Sequence, residues 1–471
     1  MHNLSNPYSF RELRLRYLLI IAIPFLIALI QGCSKEVSTD PLNLKPPETF
    51  SDSGSDQQPD KWWKSFDDEE LDQMITYALD SNYTLESAWQ RVIAARAVVK
   101  RQRSNLFPEL SGNIRSAISR PTPDFVGGEN IQFGMQAGYE IDLWGRIRAA
   151  TDAERYRTQA SIYDYRTTAI SVTADIAATR MQLIAANNQL ELIRSQVETN
   201  ENILKLIRSR IGTGEITAVD VLRQEQLIES TRQQLYNWQT NVGLLEHQMA
   251  LLLGKSPHEK LDAEFSSFPK MPDLPQTGVP ADLINRRPDV QASFARLKAS
   301  DRELAAAISS QYPRLTLNTN LAFRTNNFSN LLDSWAYSLA GNLLAPLFYG
   351  GRLRAEVDRT TAVKEQQLYE YGQVVLGAFR DVEDAIVQEN NQRETVESIE
   401  KQVELAENVS KQLRARYFNG MTNYLDVLTA LNEVQQLKRD LIVAKRDLLL
   451  TRISLYRALA GSFETNRQLD D

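Results

Sequence analysis

The stretch IGTGEITAVDVL (Ile211–Leu222) returns 206 residues later as YFNGMTNYLDVL (Tyr417–Leu428). Extended back to Arg208 and Arg414, the window holds six identities in fifteen positions. They pair Arg208, Arg210, Gly214, Asp220, Val221 and Leu222 with Arg414, Arg416, Gly420, Asp426, Val427 and Leu428. Chance at ordinary residue frequencies supplies about one. Upstream landmarks keep the same order. LFPEL (Leu106–Leu110) answers to QYPRL (Gln311–Leu315), and WGRIRA (Trp144–Ala149) to GGRLRA (Gly350–Ala355). The chain is a tandem duplication of units of roughly 200 residues.

Each unit changes period in a fixed order. In the first, helical spacing runs from about Asp67 to Asn105 and stops at Pro108. Alternation follows, with Leu110, Ile114 and Ile118 on one face and Ser111, Asn113 and Arg115 on the other. It resumes with Ile131, Phe133, Met135, Tyr139 and Ile141 against Gln132, Gln136 and Glu140. A period of two with unlike faces marks a strand. The second unit repeats the pattern, and strands are expected at 109–119, 131–143, 314–324 and 335–345.

A long helical segment follows each strand pair. No proline or glycine interrupts Arg146 to Ile211. Leu183, Leu190, Ile193, Val197, Leu204, Ile207 and Ile211 fall on a seven-residue pattern, matched later by Val396, Ile399, Val403, Ala406, Leu413 and Tyr417. Heptads imply side-by-side helix packing. Gly214 and Gly420 stand where these helices end, as a left-handed C-terminal residue requires. Thr217 and Asn423 then read as N-caps, with Asp220 and Asp426 three residues on, as in a capping box. Each motif is the tip of a helical hairpin, at the end remote from the strands.

The ends of the chain read differently. Residues 1–32 join Arg11, Arg14 and Arg16 to the apolar run YLLIIAIPFLIALI, the form of a secretory signal peptide. Cys33, the only cysteine, follows LIQG, a stretch that resembles a lipobox, in which the cysteine is lipidated and becomes the mature N-terminus. Ser34 after it suggests delivery to the outer membrane. Removing residues 1–32 takes the net charge from −7 to −9, which argues against nucleic acid as a partner. The expected organisation is a lipidated tether at 33–60, a first repeat at 61–256, a Pro-rich connector at 257–288, a second repeat at 289–461 and a tail at 462–471.

Four amphipathic strands cannot close a barrel alone, since membrane barrels begin at about eight. An open sheet in lipid leaves its edges unsatisfied. Two chains would supply eight strands and three would supply twelve; three is favoured if the object is a conduit, because more strands open a lumen. Polar faces with Gln132, Gln136, Asn318 and Asn320 favour a wet interior.

WWKSFDDEELDQMITYALDSN, YEIDLWGRIR, RIGTGEITAVDVL, LINRRPDV, LAPLFYGGRLRAEV and RYFNGMTNYLDVL occur in this order across nearly all of the mature chain. In them the sequence resembles the TolC/OprM-type outer membrane efflux proteins, in their lipoprotein branch. The resemblance implies a mainly α fold with membrane β: duplicated long-helix hairpins forming an α-barrel, and four strands per chain in a trimeric twelve-stranded β-barrel. It implies a homotrimer in outer membrane lipid that docks on a periplasmic adaptor and an inner membrane pump. The function implied is a passive exit duct for small molecules. The alternatives are a duct for protein secretion or a non-conducting, periplasm-spanning structural lipoprotein. It also implies an entrance gate at Asp426, with Leu425 as apolar constriction. Relatives carry a second acid where this chain has Thr429, and some carry a latching arginine where it has Thr422. Adaptor docking is expected at the tips, around Gly214, Asp220 and Gly420.

Nothing in the sequence suggests an enzyme, a cofactor or a metal. Of three histidines, His2 lies in the signal, and His247 and His258 lack partners at ligand spacing. Gly212–Gly214 and Gly254–Ser256 lack the context of a phosphate loop. The pair Trp62 and Trp63 reads as packing, and RRPD (Arg286–Asp289) as a helix start with Pro288 in its first turn.

Overall fold

The computed structural model describes residues 42, 47–54, 61–117, 130–210, 217–260, 263–325, 333–459, 463, 465 and 467. Contacts divide the chain into residues 1–43 and 44–471. Only Leu42 of the first unit is described, and the α-helices and strands below all belong to the second unit. The expected signal peptide, Cys33, the turn through Gly214 and most of the tail lie outside the described residues.

A 3-10 helix at Trp62–Phe66 precedes α1 (Glu69–Ser81) and α2 (Tyr83–Ser104). The first repeat continues with β1 (Glu109–Ala117), β2 (Asn130–Ile141), α3 (Arg146–Arg210) and α4 (Ala218–Leu252). A short α5 (Pro280–Arg286) leads to α6 (Pro288–Ser309), β3 (Arg314–Thr325), β4 (Trp335–Leu344), α7 (Arg352–Phe418) and α8 (Tyr424–Leu459). The order helix, two strands, long helix, returning helix occurs twice. At 65 residues, α3 is roughly 100 Å long.

Two local departures from the sequence reading have physical causes. The helix expected from Asp67 to Asn105 is two helices. At Asn82 the backbone turns extended (ψ 122°), and its side chain accepts from Thr84 N–H at 2.9 Å and Leu85 N–H at 3.0 Å, capping α2. Its amide also donates to the Leu252 carbonyl at 2.7 Å, fixing the break against the end of α4. Likewise β2 stops at Ile141 rather than at Leu143. Asp142 has turned to cap α3, accepting from Ile147 N–H at 3.1 Å and Arg148 N–H at 2.9 Å.

The four strands form one antiparallel sheet in sequence order, with β1 and β4 at its edges. The register aligns the faces across all four strands. Phe133 pairs with Phe323 and Phe323 with Trp335; Met135 pairs with Leu321 and Leu321 with Tyr337. On the opposite face Ser111, Gln136, Asn320 and Ser338 form a continuous row. The apolar face is not covered: Leu110, Ile114, Trp335, Tyr337, Leu339 and Leu343 are all exposed. Among the described residues no helix is long and apolar enough to cross a membrane.

α3 is the central helix, packing against α2, α4, α6 and α8, while α7 packs against α6 and α8. The main core lies midway along α3. There Ile176, Met181, Leu183 and Ile184 meet Trp62, Trp63, Phe66, Leu71, Ile75 and Leu85, with Leu449, Ile453 and Tyr456 of α8. Trp62 stacks on Tyr456 with ring centres 5.6 Å apart, and Trp63 meets Phe463 edge-on at 5.1 Å. Each large apolar side chain fully buried here contributes about 1.5–3 kcal/mol. This cluster ties the N-terminal segment to the middle of the long helices.

Candidate functional site

The tips are built by opposite demands on the backbone. α7 ends in a Schellman turn. Gly420 adopts φ 71°, its N–H donates to Tyr417 O at 3.0 Å, and Met421 N–H donates to Arg416 O at 2.9 Å. A side chain at Gly420 would strain that backbone. The counterpart Gly214 lies outside the described residues.

The returning helices begin differently in the two repeats. At α4, Thr217 and Asp220 close a reciprocal capping box: Asp220 N–H donates to Thr217 Oγ1 at 3.3 Å, and Thr217 N–H to Asp220 Oδ2 at 3.1 Å. At α8, Asn423 Oδ1 accepts from Asp426 N–H at 3.0 Å. The Asp426 carboxylate, however, accepts a hydrogen bond from the Thr422 hydroxyl, one position before the cap. Asp426 thus sits half-buried in the first turn of α8, where the helix dipole favours its negative charge. Leu425 and Thr429 are exposed one turn apart on the same side of α8.

Behind this turn is a small core of Ile207, Tyr424, Val427 and Leu428, joined by Leu204, Val221 and Leu413. Tyr424 donates its hydroxyl to Gln224 Oε1 of α4 at 2.7 Å. Burial, and then the neighbouring Tyr417 and Asp220, push the Tyr424 phenol well up, so it stays a neutral donor. Sequence reading missed Tyr424 and Gln224. A tyrosine at the first helical position resembles any core aromatic, and its partner lies 200 residues away.

At the other end of the long helices, the polar face of the sheet carries Ser111, Gln136, Asn318, Asn320 and Ser338 around a shallow trough of about 400 Å³. Glu140 is held by Arg146, the first residue of α3, through hydrogen bonds of 2.9 Å and 3.0 Å. A strand of this face is thereby locked to the helix that leaves it. Among the described residues no group of His, Cys, Asp and Glu is arranged to hold a metal ion.

The sequence matches the family described as outer membrane efflux protein over residues 74–255 and again over 279–461. The chain belongs to the outer membrane efflux protein family. The two matched blocks coincide with the duplication seen in the order of elements. The pyoverdine export outer membrane protein OpmQ of Pseudomonas aeruginosa is 29% identical, over 87% of this chain and 88% of its own. The toluene efflux pump outer membrane protein TtgF of Pseudomonas putida is 28% identical, over 86% of this chain and 85% of its own. The solved structure of the outer-membrane channel OprN superposes with a TM-score of 0.79 at 26% identity, covering 89% of this chain and 98% of its own.

Within this family the open sheet has a definite meaning. Its four strands are the share one chain contributes to a trimeric, twelve-stranded β-barrel. The exposed apolar face is suited to lipid and the amide-lined face to water. The long helices carry the conduit on from the barrel as an α-barrel. The protein is the outer membrane exit duct of an efflux system.

Proposed function

We propose that the duct exports small molecules handed to it by a periplasmic adaptor and an inner membrane pump, and that its periplasmic entrance is gated at the α7–α8 turn. The observation that carries this reading is the arrangement at the start of α8. Leu425 and Thr429 are exposed on one side of the helix, with the Asp426 carboxylate beside them in the same turn. Three copies around an axis would set a ring of carboxylates next to an apolar constriction, and such rings favour cations. Thr422 holds each carboxylate locally, so the latch within each tip is a hydroxyl rather than a cation.

Adaptor hairpins dock on the tips around Gly214, Asp220 and Gly420, at the end farthest from the sheet. Cys33 carries lipid and tethers the N-terminus in the outer membrane. Relatives named for pyoverdine and for toluene differ greatly in cargo, which supports a duct whose cargo is chosen by the pump it serves. The gate is tested by planar-bilayer recording of the purified trimer. Asp426→Asn should lower cation selectivity and block by multivalent cations, and Asp220→Asn should change both less. Unchanged selectivity and block with a lower thermal midpoint would reduce Asp426 to a helix cap.

A further inference from the structure

The two repeats can be matched side chain by side chain. Phe107 and Tyr312 lie 205 residues apart, as do Trp89 and Phe294; Trp144 and Gly350 lie 206 apart, as do Tyr165 and Tyr371. The contacts repeat at the same intervals. Trp89 of α2 meets Tyr165 of α3 with ring centres 5.3 Å apart, and Phe294 of α6 meets Tyr371 of α7 at 5.3 Å. α2 therefore sits on α3 as α6 sits on α7. α6 has a second partner, however. It also packs against α3 of the first repeat, whereas among the described residues α2 does not pack against α7 of its own chain. One joint between repeats is closed within the chain, and its counterpart is open.

The closed joint is mostly polar. Arg296 of α6 donates to both carboxylate oxygens of Asp164 of α3, at 2.7 Å and 2.5 Å. Arg157 of α3 pairs with Glu303 of α6, and Lys298 Nζ lies 5.7 Å from the ring centre of Tyr156. At the sheet end Trp144 stacks on Tyr312 and donates to the Pro313 carbonyl at 2.7 Å. Shifted by the same intervals, these pairs become Arg91 with Glu370, Val98 with Val363, Ile93 with Ala362 and Gly350 with Phe107. Each stays complementary. The first charge pair keeps its sense, with arginine on the short helix and the acid on the long one. The second turns apolar on both sides at once, and so does the cation–aromatic contact. A charge left facing an apolar residue would be costly to bury. Arg91, Ile93, Ala362 and Glu370 are exposed, and Val98 and Val363 are half-buried. Phe107 on one side of the open joint and Phe348, near Gly350, on the other are also uncovered.

We propose that α2 of one copy docks on α7 of the next as α6 docks on α3 within a chain, with Arg91 paired to Glu370 of the neighbouring copy and Val98 against that copy's Val363. The occupant of the open joint is a second copy of this chain, because the residues that complement α2 lie on α7. An exposed charge pair adds little affinity, so it sets which faces meet and in what register. Ile93, Val98 and Phe107 bring the apolar surface whose burial holds the joint. Such a contact is head-to-tail and closes into a ring when the rotation between copies closes. The duplicated chain thus carries, as its own internal joint, the template for the joint between copies.

Arg91→Cys with Glu370→Cys, treated in membranes with a short bifunctional thiosulfonate, should link chains into covalent dimers and trimers on denaturing gels. Either single variant, which shares Cys33, should link severalfold less. Arg296→Cys with Asp164→Cys, linked within one chain, is the control for reach. Chains that stay single in the first variant, or that link only within themselves, overturn the docking. Where that variant does not reach the membrane, charge reversal decides. Arg91→Glu or Glu370→Arg alone should raise the dissociated fraction of the solubilised protein severalfold at a fixed urea concentration, and the two together should bring it back. A double reversal no better than the single ones overturns the pair. A three-chain mass without cross-link or rescue refutes this docking and leaves the trimer standing.

Discussion

Arg452 of α8 and Glu389 of α7, both without exposed surface, meet through paired hydrogen bonds of 2.7 Å and 2.5 Å. The remaining Arg452 nitrogen donates to the carbonyls of Pro272 and Asp273 at 2.6 Å each. Burial opposes the charge on Arg452, but the Glu389 hydrogen bonds and charge outweigh it and hold its pKa above the ordinary value. One guanidinium thus pins the connector between the repeats to the second helical hairpin.

Arg452→Met leaves Glu389 buried without this partner, and removing one member of a buried pair costs about 3–5 kcal/mol. A clear fall in the thermal midpoint of the solubilised trimer is expected, together with proteolysis near Pro272. Adding Glu389→Leu should recover much of the midpoint but not the protease resistance, since the connector carbonyls still lack their donor. A wild-type midpoint in Arg452→Met would show that the pair contributes nothing.

Arg287, the N-cap of α6, donates to Asp289 at 2.7 Å and to Asp381 at 3.1 Å. Burial alone would raise the Asp289 carboxyl, yet the Arg287 hydrogen bond and charge hold it below its ordinary value. A depressed folded pKa stabilises above the unfolded value, about 3.9, and the contribution drains as pH falls through the lower folded value. Asp289→Asn should therefore lower the thermal midpoint at pH 7, and its deficit should close under acid. A deficit that stays constant to pH 2 would rule out the linkage.

The faces of the strands were legible because a period of two leaves little choice once one face meets lipid. Phe133, Leu321 and Tyr337 fall on the apolar side, and Gln136, Asn320 and Ser338 on the polar side. The heptad in α3 was legible only in part. Leu183, Ile193 and Ile207 are buried as the pattern requires, but so are Gln189, Gln196 and Asn200, which an apolar pattern treats as gaps. Long-range pairs such as Arg452–Glu389 left no local signal. Spacing predicts that the carboxylate of Asp426 closes on its cap, and spacing alone cannot reveal Thr422 as its donor.

Gly420 holds φ 71°, a region closed to proline, whose ring fixes φ near −65°. Gly214→Pro with Gly420→Pro should abolish efflux, measured as accumulation of a fluorescent pump substrate in cells, while trimers remain in the membrane. Efflux that survives in this variant would remove the tips as the docking surface.

If Cys33 is the mature N-terminus, intact mass spectrometry should find a triacylated chain beginning there. Cys33→Ala should weaken delivery to the outer membrane more than folding, because the sheet still supplies a membrane-embedded barrel. An unmodified N-terminus at any other residue would contradict the anchor.

The central claim is that three copies close one conduit from sheets that are open in each chain. The molar mass of the detergent-solubilised protein, with bound detergent subtracted, tests it most directly. The expected result is three processed chains, with strand content unchanged from the membrane. A single-chain particle that keeps its full strand content, or a stable two-chain particle, would contradict it.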